Sequence, residues 1–304
     1  MSPSINRRHL LRLLSATPLA IAAQAHASRV SGQGLVQHAR TAARMPLPGW
    51  TPGEERYVWP AGEYYRPLMA GTDYETGLFI FTSGLPGKST LVLSGVHGNE
   101  PGGWLAGDWV VENRRPANGV LLVIPRANRV AIGLFERTTE WLADLNRSYP
   151  GFWDGRPMEF LAAEIVQVID EFSVDLVHDM HESWSFYADR STNGTAFLGQ
   201  TIATRGDAGI ALARAVVEGV NAQVWYEHEL FYFRDPAATQ NPNLPRQQNA
   251  PPPGRGTSSL GLNGYFPGLT TLLVEMGQQQ SLERRIALHI TALDEALRQM
   301  GQVS

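Results

Sequence analysis

The fold is decided by the stretch Ser89–Glu100, which reads STLVLSGVHGNE. Its first part, Ser89–Val96, is a short apolar run that contains β-branched residues and is bounded by glycine-containing pairs. Such a run predicts a strand that is buried on both faces. The polar residues that follow, His97–Glu100, fall where an α/β fold binds its ligands, at the carboxyl end of a strand.

The same pattern recurs along the chain on both sides of this stretch. Strands are predicted at 77–82, 119–125, 174–180 and 269–276, and helices at 104–114, 158–172, 206–220 and 281–300. For residues 28–75 the sequence predicts an irregular N-terminal segment with short strands, and for residues 126–157 it predicts a region rich in loops. Because strands alternate with helices and most strands are apolar on both faces, the sequence predicts an α/β fold with a mainly parallel sheet covered by helices on both faces.

Composition excludes several classes of protein and of site. The 304 residues are 43% hydrophobic and 18% charged, which is typical of a globular protein and not of a disordered chain. There is no cysteine, so disulfides, thiolate metal sites and a thiol nucleophile are excluded, and any metal must be held by histidine and carboxylate. The net charge of −4 disfavours nucleic acid as a partner. No apolar run reaches 18 residues, so no stable membrane anchor is expected.

The N-terminal residues indicate export. Arg7 and Arg8 precede a weakly apolar stretch that ends in Ala25-His26-Ala27, the layout of a bacterial signal peptide. The arginine pair resembles a twin-arginine signal, which implies transit through the twin-arginine export machinery. We therefore expect residues 1–27 to be a removed signal peptide and 28–304 a single catalytic domain, periplasmic or secreted. The alternatives are the general export route and an amphipathic helix that stays on the protein.

A long Pro- and Gln/Asn-rich segment interrupts the second half of the chain at 234–259. It contains three consecutive prolines and cannot be a core element. Loops of this length inside a compact domain are usually functional or disordered. We expect this segment to be a loop that could act as a lid over a cleft.

Two polar stretches offer metal ligands. His97 and Glu100 are three residues apart, so both can reach one cation from a tight turn, and Gly98 would let the backbone bend there. The same spacing also arises by chance in surface turns. Another predicted strand ends in Asp179-Met180-His181. Strand alternation places His181 and His178 on opposite faces, and the later position favours His181 as the ligand.

His178 is expected to be a buried, hydrogen-bonded core histidine, and Asp179 is a candidate partner for the second ring nitrogen of a metal ligand. Glu275 lies within an apolar strand, where burial would raise its pKa and suit it to act as a general base; a strand-end salt bridge is the alternative. Asn146 and Arg147 could bind a carboxylate, and the alternative is a surface loop with a solvated arginine. Arg137 could stabilise an oxyanion, although the sequence alone favours a surface arginine.

Taken in order, these motifs resemble the succinylglutamate desuccinylase/aspartoacylase family of the zinc carboxypeptidase superfamily. The resemblance spans roughly residues 60–300 and is carried by HGNE at 97–100, PRAN at 125–128, Arg137, DLNRSYPG at 144–151, DMH at 179–181 and VEMG at 274–277. It implies a mixed sheet of about eight strands between helices. It also implies that one zinc ion is held by His97, Glu100 and His181, that Glu275 activates water, that Arg137 polarises the scissile carbonyl, and that Asn146 and Arg147 bind the substrate carboxylate.

The chain also departs from the family. Only one helix follows Gly277, so the additional C-terminal β domain of aspartoacylase-type members is expected to be absent. The mobile tyrosine of the superfamily has no clear match among Tyr226, Tyr232 and Tyr265. We expect an exported zinc hydrolase that cleaves an amide in a small-molecule or peptide substrate with a free carboxylate, of the N-acyl amino acid deacylase type. The alternatives are a periplasmic carboxypeptidase or amidase on peptides or cell-wall fragments, and a non-catalytic binding protein.

Overall fold

The apolar run at 89–93 lies in the middle of the sheet, as its burial on both faces requires. The computed structural model describes residues 57–190, 196–235 and 256–303, so the signal-peptide prediction and residues 236–255 of the long loop lie outside the described residues. The strands formed in the described ranges are β1 Gly62–Leu68, β2 Thr76–Thr82, β3 Ser89–Leu93, β4 Val120–Ile124, β5 Leu176–Ser183, β6 Ser185–Phe186, β7 Phe197–Gly199, β8 Thr201–Ala203, β9 Tyr232–Arg234 and β10 Thr270–Gly277.

The α-helices of these ranges are α1 Pro101–Asn113, α2 Arg129–Leu134, α3 Pro157–Glu171, α4 Asp207–Asn221 and α5 Leu282–Gln299. Short 3-10 helices form at Leu145–Arg147, Tyr187–Asp189, Glu227–Glu229 and Ser259–Gly264. The described residues contain no helix long and apolar enough to cross a bilayer.

Eight of the strands form one mixed sheet in the order β1-β2-β4-β3-β5-β10-β8-β9. The centre is parallel, since β3 pairs in parallel with β4 and β5, and β5 with β10. Antiparallel pairs flank this centre on both sides, between β1 and β2, β2 and β4, and β10 and β8. The predicted fold class, a mixed and mainly parallel sheet of about eight strands, is confirmed.

Helices cover both faces of the sheet. On one face Leu91 and Leu122 belong to a core shared with Leu161 and Ile165 of α3. On the other face the strands pack against α1, α4 and α5 in two further cores. Buried apolar area of this kind is the main stabilising contribution in a domain without disulfides.

The short elements are the ones the sequence pattern missed. β1 falls inside the segment predicted to be irregular, and α2 falls inside the loop-rich 126–157 region. Asn128, in the PRAN motif, caps α2 by accepting a hydrogen bond from the Ala131 amide at 3.1 Å. Arg126 of the same motif forms an ion pair with Asp108, so these two motif residues have structural roles.

Candidate metal-dependent active site

Three neighbouring strands bring the predicted ligands and the predicted base to one edge of the sheet. His97 follows β3, His181 lies near the end of β5, and Glu275 lies near the end of β10. Glu275 and His181 are directly paired across β10 and β5, so their side chains lie on the same face of the sheet. The parallel arrangement of β3, β5 and β10 therefore converts distant sequence positions into one site.

His97, Glu100 and His181 form a buried cluster that could hold a metal ion. The Nδ1 atom of His97 lies 2.6 Å from Glu100 Oε1, and Nδ1 of His181 lies 2.9 Å from Glu100 Oε2 and 3.1 Å from Nδ1 of His97. Ligands bound at about 2.0–2.2 Å to a tetrahedral ion lie about 3.4 Å apart, so a small movement apart would admit an ion. Two imidazoles and a carboxylate are a donor set that suits zinc.

The second nitrogen of each cluster histidine faces a further carboxylate. Nε2 of His97 lies 3.1 Å from Asp144 Oδ1, and Nε2 of His181 lies 3.2 Å from Asp179 Oδ2. Asp179 is itself held by the hydroxyl of Ser259 at 2.6 Å. Carboxylates in this position orient a metal-binding imidazole and increase its basicity. The candidate role of Asp179 was recognised in the sequence, whereas the role of Asp144 was missed, although Asp144 opens the quoted DLNR motif.

Charges are strongly coupled within the cluster. Burial alone would raise the pKa of Glu100, but the adjacent His97 and His181 outweigh it and lower the pKa well below its usual range. Burial alone would lower the pKa values of both histidines, but the surrounding carboxylates outweigh it and raise them. Glu100 is therefore held as a carboxylate, ready to bind a cation, and metal binding would release the imidazole protons.

Two glycines allow the backbone around Glu100 to pack tightly. A Cβ atom on Gly98 would lie 2.0 Å from the backbone of Ala131, so this glycine is required by close packing against α2 and not by the backbone bend that the sequence suggested. A Cβ atom on Gly102 would lie 2.1 Å from Glu182 Oε1. The Glu182 carboxylate accepts a hydrogen bond from the Gly102 amide and forms an ion pair with Arg285 at 2.6 Å. These contacts fix the start of α1 beside Glu100.

Glu275 is buried beside the cluster. Its pKa is raised, first because burial disfavours the carboxylate and also because Glu100 is nearby, while His181, Arg234 and His97 act in the opposite direction. A carboxyl group with a raised pKa that faces a metal site is suited to exchange protons near neutral pH. In the described residues no ion pair holds Glu275 within 4.0 Å, so the alternative reading as a strand-end salt bridge receives no support there.

The remaining predicted site residues lie on the His97 side of the cluster: Arg137, Asn146 and Arg147. Arg137 Nη1 is 3.5 Å from Glu100 Oε1 and its Nη2 is 3.3 Å from Asp144 Oδ2. Asn146 is buried, and its Oδ1 has no hydrogen-bond partner among the described residues. Arg147 is exposed and donates to the carbonyl of Asn146 at 2.6 Å. The structure thus brings all seven predicted site residues to one end of the sheet.

The three tyrosines considered as the mobile tyrosine are all on the surface: Tyr226 is exposed and stacks on His228, Tyr265 is exposed, and Tyr232 is a strand residue of β9.

His178 lies on the face of the sheet opposite His181 and is completely buried. Neither of its ring nitrogens has a hydrogen-bond partner among the described residues, and the same is true of His289 on α5. The prediction of a buried core histidine is therefore confirmed, whereas the expected hydrogen bond is not found among the described residues. Burial lowers the pKa of His178 to about 4 and outweighs the nearby Asp179, which acts in the opposite direction.

The depressed pKa of His178 predicts a loss of stability in acid. The unfolded chain binds a proton at this histidine near pH 6.5, whereas the folded protein binds it only near pH 4. Stability that is present at neutral pH should therefore fall by about 3 kcal/mol as the pH drops from about 6.5 to about 4. Denaturant unfolding at pH 7 and pH 5 should show a smaller loss of unfolding free energy in a His178→Gln variant than in the wild type.

The control His228→Gln alters an exposed histidine and should retain the full loss of unfolding free energy. An unchanged loss in His178→Gln would contradict the assignment to His178.

The chain is similar to known proteins in both sequence and structure. The succinylglutamate desuccinylase/aspartoacylase catalytic domain matches residues 86–186, a segment that contains the three cluster residues together with Arg137, Asn146 and Arg147, while Glu275 lies beyond it. No curated protein matches the chain.

Among solved structures, the cell shape determinant protein Csd4 from Helicobacter pylori (a Gln46His variant) is 19% identical, with a TM-score of 0.59, covering 71% of this chain and 52% of that one. The chain thus spans about half the length of Csd4. An aspartoacylase family protein from Mesorhizobium loti is 18% identical, with a TM-score of 0.57, covering 81% of this chain and 69% of that one.

A succinylglutamate desuccinylase/aspartoacylase from Rhodobacter sphaeroides is 19% identical, with a TM-score of 0.57, covering 80% of this chain and 66% of that one. At such identities these structures establish the carboxypeptidase-like α/β fold. Together with the matched segment they confirm the resemblance drawn from the motifs: residues 86–186 are similar to the succinylglutamate desuccinylase/aspartoacylase catalytic domain, and the fold is similar to that of solved members of this family.

Proposed function

We propose that this protein is a zinc-dependent hydrolase that cleaves an amide bond of a small carboxylate-bearing substrate, as an N-acyl amino acid deacylase does. The observation that carries the proposal is the convergence of His97, Glu100 and His181 beside the buried Glu275. One zinc ion would be held by these three residues, the number of protein ligands typical of catalytic zinc sites. When bound, zinc supplies Lewis acidity towards a carbonyl oxygen and towards water.

The protein's own side chains would carry the remaining chemistry. Glu275 takes a proton from the attacking water and delivers it to the leaving amine, which its raised pKa favours. Arg137, fixed beside Glu100 and Asp144, stabilises the negative charge that develops on the carbonyl oxygen. Asp144 and Asp179 hold the imidazoles of His97 and His181 in orientation.

Asn146 and Arg147 are proposed to anchor the substrate carboxylate and so to align the scissile bond. Replacing Arg147 with alanine should raise KM for substrates that end in a carboxylate by about 10- to 100-fold, with a smaller change in kcat, because the lost contact is made in both the ground state and the transition state. Steady-state kinetics on a substrate with a free carboxylate and on its methyl ester tests this. An unchanged preference for the free carboxylate would exclude the anchor.

A second enzymatic reading is a carboxypeptidase or amidase that acts on peptides or cell-wall fragments. Two arguments favour it. One is the export that the sequence predicts, and the other is the structural likeness to Csd4, which one structure describes as a D,L-carboxypeptidase in an mDAP-bound form. The third reading, a non-catalytic binding protein, is disfavoured by the retention of Glu275 beside an intact ligand set.

One screen tests the proposal and separates these readings. Purified protein loaded with one equivalent of zinc is assayed against N-acyl amino acids, C-terminal peptides and muropeptides, with and without a chelator. Chelator-sensitive release of an amino acid from the first class supports the deacylase, and release from the others supports the peptidase. Binding of all three classes without hydrolysis of any of them would contradict the enzymatic proposal.

Fractionation of cells that express the full chain tests its export. The same fractionation in cells that lack the twin-arginine machinery tests whether export uses that route.

A further inference from the structure

The carboxylate of Asp179, which stands behind His181, is held at one of its two oxygens. Oδ2 accepts a hydrogen bond from the Ser259 hydroxyl at 2.6 Å and lies 3.2 Å from Nε2 of His181. Oδ1 is buried and has no hydrogen-bond partner among the described residues. In that part of the chain, the Ser259 hydroxyl is therefore the one group besides the imidazole that fixes this carboxylate.

The carboxylate behind the other cluster histidine is held more securely. Asp144, which faces His97, accepts a hydrogen bond from the backbone amide of Asn146 at 2.9 Å and lies 3.3 Å from the guanidinium of Arg137. Loss of either contact would leave the other in place. Asp179 has no such second support in the described residues, so its orientation towards the imidazole depends on a single hydroxyl.

Ser259 is placed against Asp179 by the residue that follows it. Leu260 packs with Ala203 and Leu273 in a small core cluster, and Leu273 on β10 is directly paired with Asp179 on β5. Ser259 itself is completely buried. Packing of Leu260 on the sheet therefore holds the Ser259 hydroxyl beside the carboxylate, out of contact with solvent.

Two residues earlier the chain is fixed to the loop that carries Arg147. Thr257 and Tyr149 exchange two backbone hydrogen bonds, of 2.8 and 3.1 Å. A Cβ atom on Gly256 would lie 2.2 Å from the carbonyl oxygen of Arg147, so the two backbones are in close contact there. Ser259 thus lies on a short segment that is anchored on both sides, and such rigid support is what precise orientation of a neighbouring side chain requires.

We propose that Ser259 is a positioning residue of the metal site, which fixes Asp179 and, through it, the imidazole of His181. A hydrogen bond from a hydroxyl to a carboxylate is charge-assisted and therefore strong. Partners behind a metal-binding imidazole set its orientation, and their loss reduces metal affinity by about 10- to 100-fold. The role rests on the proposed function, because it requires that His181 binds the zinc ion.

The zinc affinity of the full chain, measured by competition with a chromophoric chelator, tests this role. Ser259→Ala should lower the affinity about 10-fold, because the Asp179 carboxylate keeps its charge but loses its fixed orientation. The circular dichroism spectrum should remain that of the wild type. An unchanged zinc affinity in the folded Ser259→Ala variant would overturn the positioning role.

Ser94→Ala is the matched control. Ser94 is also a completely buried serine, but its hydroxyl donates to the backbone carbonyl of Pro125 at 2.8 Å. Its loss should lower the free energy of unfolding to a similar extent and leave the zinc affinity unchanged. An equal loss of zinc affinity in both variants would show that any lost core hydrogen bond has this effect, and would overturn the assignment to Ser259.

A double-mutant cycle tests the route through Asp179. Asp179→Ala should itself lower the zinc affinity about 10- to 100-fold. In that background Ser259→Ala should change the affinity by less than about 2-fold, because the group on which the hydroxyl acts is gone. The same loss of affinity in both backgrounds would contradict the proposed route.

Zinc binding and hydrolysis, measured on the same samples, separate a failed positioning role from a failed function. Stoichiometric zinc binding by the wild type, with equal affinity in Ser259→Ala, would retain the metal site and contradict the role of Ser259. Zinc binding that depends on Ser259, but without hydrolysis of any substrate class, would retain the role and contradict the proposed hydrolase. Wild-type protein that binds no zinc would contradict both.

Discussion

Replacing Glu275 with glutamine should remove nearly all hydrolysis, with kcat lower by about 10³-fold, while one zinc ion per chain remains bound. The amide keeps the size and polarity of the side chain but cannot take a proton from water, and loss of a general base costs about 10²- to 10⁴-fold. Because Glu275 lies in β10, paired with His181 but outside the ligand cluster, zinc binding should survive. Single-turnover kinetics and metal analysis of the same sample measure both quantities.

The matched control for this substitution is Glu229→Gln. Glu229 is also a buried glutamate, but its carboxylate is paired with Arg284 and is not part of the ligand cluster. Its amide variant should keep near wild-type turnover if folded. Near-normal turnover in Glu275→Gln would contradict the base role, and loss of zinc from that variant would assign Glu275 to the ligand set instead.

The second large effect is expected at the histidines of β5. His181→Ala should abolish stoichiometric zinc binding and therefore activity, because His181 supplies one of the three converging donor atoms. His178→Ala should retain one zinc ion, although the cavity it leaves should lower stability. These two histidines are both buried, and they differ in the face of the sheet on which they lie.

Metal analysis of the two variants after dialysis against a weak chelator provides the readout. Retention of a full equivalent of zinc by His181→Ala, or its loss from a folded His178→Ala variant, would show that the site has been assigned to the wrong face of β5.

The sequence predicts the central part of this molecule well, for physical reasons. Strands that are buried on both faces must be continuously apolar, so β3, β4 and β10 stand out, and polar residues at their carboxyl ends are costly unless they are used. Alternation along β5 suffices to separate His181 from His178. The family motifs then supply roles for Arg137, Asn146 and Arg147 that the residue types alone left open.

The parts that could not be predicted depend on tertiary contacts. The contact of Asp144 with His97 spans 47 residues, and no periodicity signals it. Gly98 is required by its approach to α2, a helix too short to be recognised from its pattern. The edge strands β8 and β9 have only three residues each, and their place in the sheet follows only from the pairing of β9, β8 and β10.

The most direct test of the central claim is a crystal structure of the zinc-loaded protein with anomalous data collected on both sides of the zinc absorption edge. We predict one anomalous peak within about 2.0–2.2 Å of Nδ1 of His97, Nδ1 of His181 and a carboxylate oxygen of Glu100. Absence of that peak, or a zinc peak held by other residues while these three side chains remain paired with one another, would contradict the account.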